Sequence, residues 1–294
     1  MVVRKRMLNG RTYYYLEHSV RKGNKVQKKE VFLGTTIPRN INELREKLLD
    51  DIYKEKWYPD IDKIKRNFSK EWDAIPKSAR DKELLSFAIR FTYDTQKIEG
   101  STLTRRETAD LLERQITPSQ RPLTDVKEAE AHRDLFYEII GSRKDLTLQI
   151  VLDWHWKLFG ETKPDVAGKF RNYQVAISGS NFMPPSPVEV FPMLADFFRL
   201  YGRSKHKVHP VELAALAHLK FVTIHPFGDG NGRVSRLLMN SILNRRGYPM
   251  VDIPYERRSG YYNALERSQT TMQYRVFLRW FLKNYIRENK RYLK

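Results

Sequence analysis

The sequence predicts a mainly α-helical protein with a small β appendage at its N-terminus. Three observations carry that expectation. Apolar residues recur at three-to-four-residue spacing in several segments that open on capping residues and stop at glycine. The first forty residues alternate instead as strands do. Between two of the helical patterns lies a glycine-rich segment, His225 to Arg236, that concentrates reactive side chains no fold requires.

The elements follow in order. TYYYLEHSV and KVQKKEVFLG, separated by RKGN, read as a β-hairpin forming an appendage over 1–38 that closes at Pro38. INELREKLLDDIYKEKW reads as a helix. A second is capped near Ser78 and stopped at Gly100, and Thr104 with Glu107 opens a third as a capping box. Residues 117–125 form a loop, after which DVKEAEAHRDLFYEII and TLQIVLDWHWKLFG continue the helical pattern. Val175 and Ile177 make a short strand-like alternation before a turn at Gly179. Ser186, Pro187 and Glu189 then start another helix. The expected divisions are 1–38, a helical region 39–144, a main domain 145–287 and a basic tail 288–294.

Composition narrows the function classes. The 294 residues suffice for about two domains and a sizeable core. The chain has no cysteine, which excludes disulfides, a thiolate nucleophile and cysteine-ligated zinc. No run of about 18 apolar residues occurs, so a cytoplasmic protein without a membrane partner is expected. Lys and Arg total 54 against 35 acidic residues, a net charge of +19 concentrated toward both ends. That excess attracts polyanions, and the interleaved Tyr13, Tyr14 and Tyr15 make nucleic acid a candidate partner. A half-buried strand accounts for the same tyrosines.

The segment HPFGDGNGRVSR carries the chemistry. His225 can take a proton, Asp229 can hold a magnesium ion, and Arg233 and Arg236 can neutralise phosphate. Gly230 and Gly232 let backbone amides approach an anion. Pro210, Leu213, Ala217, Phe221 and Ile224 mark a helix delivering His225 at its end. Val234, Leu238 and Ile242 mark the next, stopped by Gly247 and Pro249. A helix–glycine loop–helix directs the second helix's unpaired amides and positive dipole end at an anion. A zinc site at His218 and His225 lacks further ligands, and Asp229 with Asn231 lacks the remaining oxygens of a calcium loop.

These residues resemble the signature of the Fic (Fido-domain) family, His-Pro-Phe-x-Asp/Glu-Gly-Asn-Gly-Arg-x-x-Arg, at every fixed position. The resemblance covers about 145–287 and implies a helical Fic fold with a β-hairpin flap. It further implies a protein adenylyltransferase that moves AMP from ATP, with Mg2+, to a Ser, Thr or Tyr hydroxyl of a target protein or of the chain itself. His225 would be the base and Asp229 the metal ligand. Gly230, Asn231, Gly232, Arg233 and Arg236 would hold the phosphates. Ile177, Ser178 and Gly179 would belong to the flap that aligns the target by strand-like pairing. RSGYYNALERSQ resembles the family's nucleoside stretch, with Tyr261 and Tyr262 against adenine. Some relatives place Asn where this chain has Gln269. A second copy of the chain is a candidate partner.

Glu99 breaks a local rule, because a carboxylate at a helix C-terminus faces the negative end of the dipole. Thr95 lies one turn away on the same face. Thr95-x-x-x-Glu99-Gly100 resembles the family's inhibitory motif, which implies that Glu99 pairs with Arg236 and blocks the outer phosphate. In some relatives this glutamate instead positions water to remove AMP. Two other readings stay open: transfer of phosphate or phosphocholine, and a nucleic-acid-binding regulator that uses the loop to sense nucleotide.

Overall fold

A computed structural model of the chain describes residues 1–22 and 25–294. Gly23 and Asn24, in the turn of the expected hairpin, lie outside the described residues. The chain separates into two compact units, Met1–Asp62 and Lys63–Lys294, a division well past Pro38.

The first unit is built on three antiparallel strands in sequential order, β1 (Val2–Leu8), β2 (Arg11–Lys22) and β3 (Lys25–Gly34). The expected hairpin is β2 and β3. A further strand, β1, joins through Asn9 (φ 49°) and Gly10 (φ 77°), the two left-handed residues of a tight hairpin turn. One sheet face buries Leu16 with Val3, Val20, Val31 and Leu33 against Leu48 and Ile52. Those two residues lie on α1 (Ile41–Ala74), which continues past the expected Trp57 and through Pro59.

The second unit is helical. α2 (Lys77–Ile98) buries only its later half, through Ala88, Phe91, Thr92, Thr95 and Ile98. Gly100 (φ 98°) ends it, a left-handed position that suits glycine. α3 (Arg105–Arg114) opens with the predicted box. The Thr104 amide donates to Glu107 at 2.8 Å, and the Glu107 amide donates to Thr104 Oγ1 at 3.2 Å. α4 (Leu123–Gly141) and α5 (Leu148–Phe159) follow, then α6 (Pro187–Ser204) behind the Ser186–Glu189 box. α7 (Pro210–Ile224) is buried on nearly every side and packs against α6, α8 (Asn231–Arg245) and α10 (Tyr274–Glu288). Its Ala214, Ala215 and Ala217 permit that close approach on several faces. α9 (Arg258–Thr270) lies against α10.

One expectation changes. The 171–186 segment turns at Ile177–Ser180, where the Ser180 amide donates to the Ile177 carbonyl at 3.1 Å and Gly179 has φ 73°. Its flanks form no strand ladder among the described residues. Pro184 and Pro185 have no N–H to donate, and Gln174 Nε2 occupies the Pro184 carbonyl at 3.0 Å. The basic tail is docked. Tyr292 is buried edge-on to Phe68, and Asn67 Nδ2 donates to its carbonyl at 2.8 Å. No helix of the described residues is long and apolar enough to cross a membrane.

Candidate active site

α7 delivers His225. The residue caps the helix in the left-handed region, φ 52°, with its amide on the Phe221 carbonyl at 3.1 Å. A non-glycine residue held there costs roughly 1–2 kcal/mol, a signature of functional sites. Its Nδ1 lies 3.1 Å from the Val222 carbonyl, which can only accept, so Nδ1 carries the proton and Nε2 keeps its lone pair. Burial lowers the imidazole's pKa. The Val222 carbonyl opposes the shift and Arg171 adds to it, so the ring stays neutral at neutral pH. Arg171 also fixes the backbone: Nε donates to the His225 carbonyl at 2.7 Å, and Nη2 to that of Pro185 at 2.6 Å. One buried guanidinium thereby joins the His225 turn to the far end of the flap segment.

The loop is stitched from within. Asn231 spends its side-chain amide on Phe227, accepting from its N–H and donating to its C=O, both at 2.9 Å. The side chain expected on phosphate is therefore structural, and it is the residue's backbone amide that remains. His155 accepts from the Gly168 amide at Nδ1 (2.9 Å), so its Nε2–H donates to the Asp229 carbonyl at 3.0 Å. Its ring stacks on Phe227 with centroids 3.7 Å apart. Gly230 (φ 79°) leads into α8, and a Cβ there would stand 2.3 Å from the Phe159 ring. The amides of Asn231, Gly232 and Arg233 occupy the helix's first turn, where no intrahelical acceptor exists. With the dipole end they form an anion seat.

Charged side chains surround that seat. Arg233 is buried and bonds Glu128, Gln96 Oε1 at 3.1 Å and Asp229 Oδ2 at 3.1 Å, with its guanidinium over the Phe159 ring. Lys163 Nζ bridges Asp229 Oδ2 and Glu128 Oε1, at 2.7 Å from each. Burial alone would raise the Asp229 carboxyl, but Arg233, Lys163 and the Gly230 amide outweigh it and hold its pKa at about 2. Asp229 is thus ionised and partly exposed. Among the described residues no cluster of three potential metal ligands occurs. A lone carboxylate beside a phosphate seat still suits magnesium, which takes one or two carboxylates and fills its remaining positions with phosphate oxygens and water.

Arg236 is 1% exposed. Its guanidinium bonds Thr95 Oγ1, the Thr95 carbonyl at 3.3 Å and Glu99 Oε1 at 2.5 Å. Burial pushes its pKa down, but Glu99 and then Tyr261 outweigh that, and the net shift is upward. Glu99 is the C-cap of α2, and Arg236 is the cation that compensates its place at the negative end of the dipole. A Cβ on Gly232 would meet Glu99 Oε1 at 2.2 Å, so only glycine admits the carboxylate this close to the α8 terminus.

The tyrosine pair divides. Tyr261 is 1% exposed, its hydroxyl 3.0 Å from His218 Nε2 and its ring packed with Phe277 and Trp280. It is a core residue, which corrects the expectation that it meets adenine. Helical spacing puts it on the inward side of α9. Tyr262, 44% exposed, stays available, with its hydroxyl donating to the Ile98 carbonyl at 3.0 Å. Gln269 is buried and bonds Thr223 Oγ1 at 3.2 Å.

Lys163, Glu128, Gln96 and Arg171 also belong to this site. Glu128 carried a signal, being acidic on the face of α4 that also holds Val126, Ala129 and Leu135. The others lie far from the loop in sequence and have no local signature. A buried, glycine-bounded loop brings together a neutral imidazole, an ionised carboxylate and a helix N-terminus that can seat an anion. Residues 145–243 match the model of the Fic/DOC family. It is 38% identical over 179 residues to the protein adenylyltransferase Fic of Drosophila ananassae, and 39% identical over 180 residues to that of Drosophila melanogaster. Each match covers 59% of this chain but only 35% and 36% of the relative, so the chain spans about a third of those relatives' length. Among solved structures it is similar to a Fic domain containing signaling protein from Bacteroides thetaiotaomicron, with TM-score 0.71 and 26% identity over 80% of this chain and 96% of that one. It is also similar to Fic-1 from C. elegans, with TM-score 0.72 and 27% identity over 86% and 75%.

Proposed function

We propose that the chain is a protein adenylyltransferase, transferring AMP from ATP to a Ser, Thr or Tyr hydroxyl of a target protein or of itself, and that Glu99 restrains it. The observation that carries this reading is the neutral His225, its Nδ1 on the Val222 carbonyl and its Nε2 left as a base, in the loop that leads into the first turn of α8. The relatives named protein adenylyltransferase support it. The triphosphate lies over the amides of Asn231, Gly232 and Arg233, with its outer end at Arg236. The ring of Tyr262 packs on adenine. The target segment runs along the Ile177–Ser178–Gly179 turn. His225 Nε2 removes the hydroxyl proton as the oxygen bonds to the α-phosphorus, the bond to the β-phosphate oxygen breaks, and pyrophosphate leaves. Asp229 would hold Mg2+, which neutralises phosphate charge when bound.

Productive seating requires Arg236 to exchange Glu99 for phosphate. The 2.5 Å bond from the Arg236 guanidinium to Glu99 supports this restraint. A second reading has one observation in its favour. The Glu99 side chain is 25% exposed, so a carboxylate anchored by Arg236 still meets solvent and could orient water to release AMP from a modified target. Comparing loss of label from a modified protein with wild-type and Glu99→Gly chains separates the two roles.

The main test uses ATP labelled at the α or the γ position. Label from the α position on protein is expected, and it should vanish in His225→Ala while the far-UV spectrum stays unchanged. Transfer of γ label would instead mean phosphate transfer, and label retained in His225→Ala would remove the histidine from its role.

A further inference from the structure

The N-terminal sheet has two faces, and its fold uses only one. The face carrying Val3, Leu16, Val20, Val31 and Leu33 is closed by Leu48 and Ile52 of α1. The opposite face carries a cluster of rings. Phe32 lies 5.9 Å from Tyr13 and 5.3 Å from Tyr15, centroid to centroid. Phe32 is 57% exposed, although the inner face offered an apolar place for a ring. Pairing brings these residues together: Tyr13 lies opposite Arg6, and Tyr15 lies between Arg4 and Phe32.

Charge on this face is arranged rather than scattered. The only acidic residues of the three strands, Glu17 and Glu30, both bond Arg6, at 2.5 Å each. Together they hold its guanidinium 4.2 Å from the Tyr15 ring centre. The acids thus position one flat cation against the rings, and Glu17 also pairs with Arg4 Nε at 3.6 Å. Arg4 lies in the same row of side chains, its side chain 65% exposed, with Arg21 and Lys28 farther along the same face by strand alternation.

We propose that this face binds single-stranded nucleic acid. Planar rings and a planar guanidinium offer stacking surfaces for unpaired bases, and the flanking cations offer contacts to the phosphates between them. An acidic peptide would satisfy the cations but leave the rings without a stacking partner. A duplex keeps its bases' faces inside its own stack, so it too leaves the rings unused. The reading is independent of the chemistry at His225.

The experiment is fluorescence anisotropy of a labelled 12-nucleotide single strand with the full chain, alongside the duplex of the same sequence, over a range of salt concentrations. The single strand is expected to bind more tightly than the duplex. Its affinity should fall with salt at a logarithmic slope of about −0.7 per phosphate contacted. Phe32→Ala and Tyr13→Ala should each weaken it about tenfold. Both substitutions lie on the face opposite the Leu16 cluster, and the circular dichroism spectrum of each should match that of the parent chain. Lys28→Ala should reduce the salt slope without changing the response to ring removal. Absence of binding at low salt, preference for the duplex, or affinity that depends on salt but not on Tyr13 and Phe32 would each overturn the proposal.

Discussion

Replacing Glu99 by glycine should make the protein bind ATP more tightly and become less stable without it. The 2.5 Å contact from Arg236 to Glu99 joins a guanidinium that is 1% exposed to a side chain that is 25% exposed, so solvent screens it little. A hydrogen bond between charged partners contributes about 1.5–3 kcal/mol net. A phosphate seeking Arg236 must displace that bond. Its removal should tighten ATP binding by roughly ten- to a hundredfold, at about 1.4 kcal/mol per factor of ten. AMP transfer should rise at least as much, since a seated outer phosphate also aligns the α-phosphorus. Without nucleotide the substitution removes the carboxylate partner of Arg236 and leaves it Thr95 and Tyr261, and the melting temperature should fall by about 2–4 °C for each kcal/mol lost. Titration calorimetry with a non-hydrolysable ATP analogue, α-label transfer and thermal unfolding read the three effects. Glu99→Gln, which keeps a hydrogen bond but not the charge, should fall between. Lower stability with unchanged ATP affinity and unchanged transfer would refute the reasoning, because Glu99 would then be only a helix cap.

Four further outcomes follow from the geometry. Burial lowers the pKa of His132 and His218 to about 3 and of His155 to about 4, each below the unfolded value near 6.5. The unfolded chain therefore takes up protons first as pH falls, and stability should drop from about pH 6.5 downward by up to about 4 kcal/mol per pH unit, read by denaturant unfolding at pH 7 and 5.5. Gly230→Ala must hold a left-handed φ and place a Cβ against Phe159, so a loss of about 2 kcal/mol or more and of AMP transfer is expected in melting and label assays; full retention of both would show that the loop adapts. Tyr262→Ala should weaken the ATP analogue about two- to tenfold in calorimetry. Tyr261→Phe should weaken that affinity less than Tyr262→Ala does, while lowering stability by about 1 kcal/mol through the loss of the His218 partner.

Much of the fold was legible because its signals are local. The Thr104–Glu107 and Ser186–Glu189 boxes, the Pro210 start and the Gly100 stop each depend on residues within one turn, and each appears where the pattern places it. β1 was passed over although Asn9-Gly10 is a hairpin signal, because its basic residues masked its alternation. The loop's density of special residues revealed the site's location but not its wiring. Asn231 was read as a phosphate ligand, yet it holds Phe227; its role depends on a fold-back of four residues that composition does not show. Lys163 and Glu128 reach Asp229 and Arg233 from distant helices and loops, so only the tertiary structure shows them together. Tyr261 and Tyr262 are neighbours in sequence and point to different fates, since one residue's rotation about a helix separates core from surface.

The segment bearing Glu99 is not an added strap. The later half of α2 supplies Ala88 and Phe91 to the interior, and Tyr262 ties its last turn to α9 through the Ile98 carbonyl. If Glu99 restrains the site as proposed, the restraint is unimolecular: diluting the protein would not loosen it, and detaching the helix would expose Ala88 and Phe91 of the interior. On that proposal, freeing Arg236 needs a change at one side chain at a helix end, and a rotation of Glu99 would suffice while its helix stays in place.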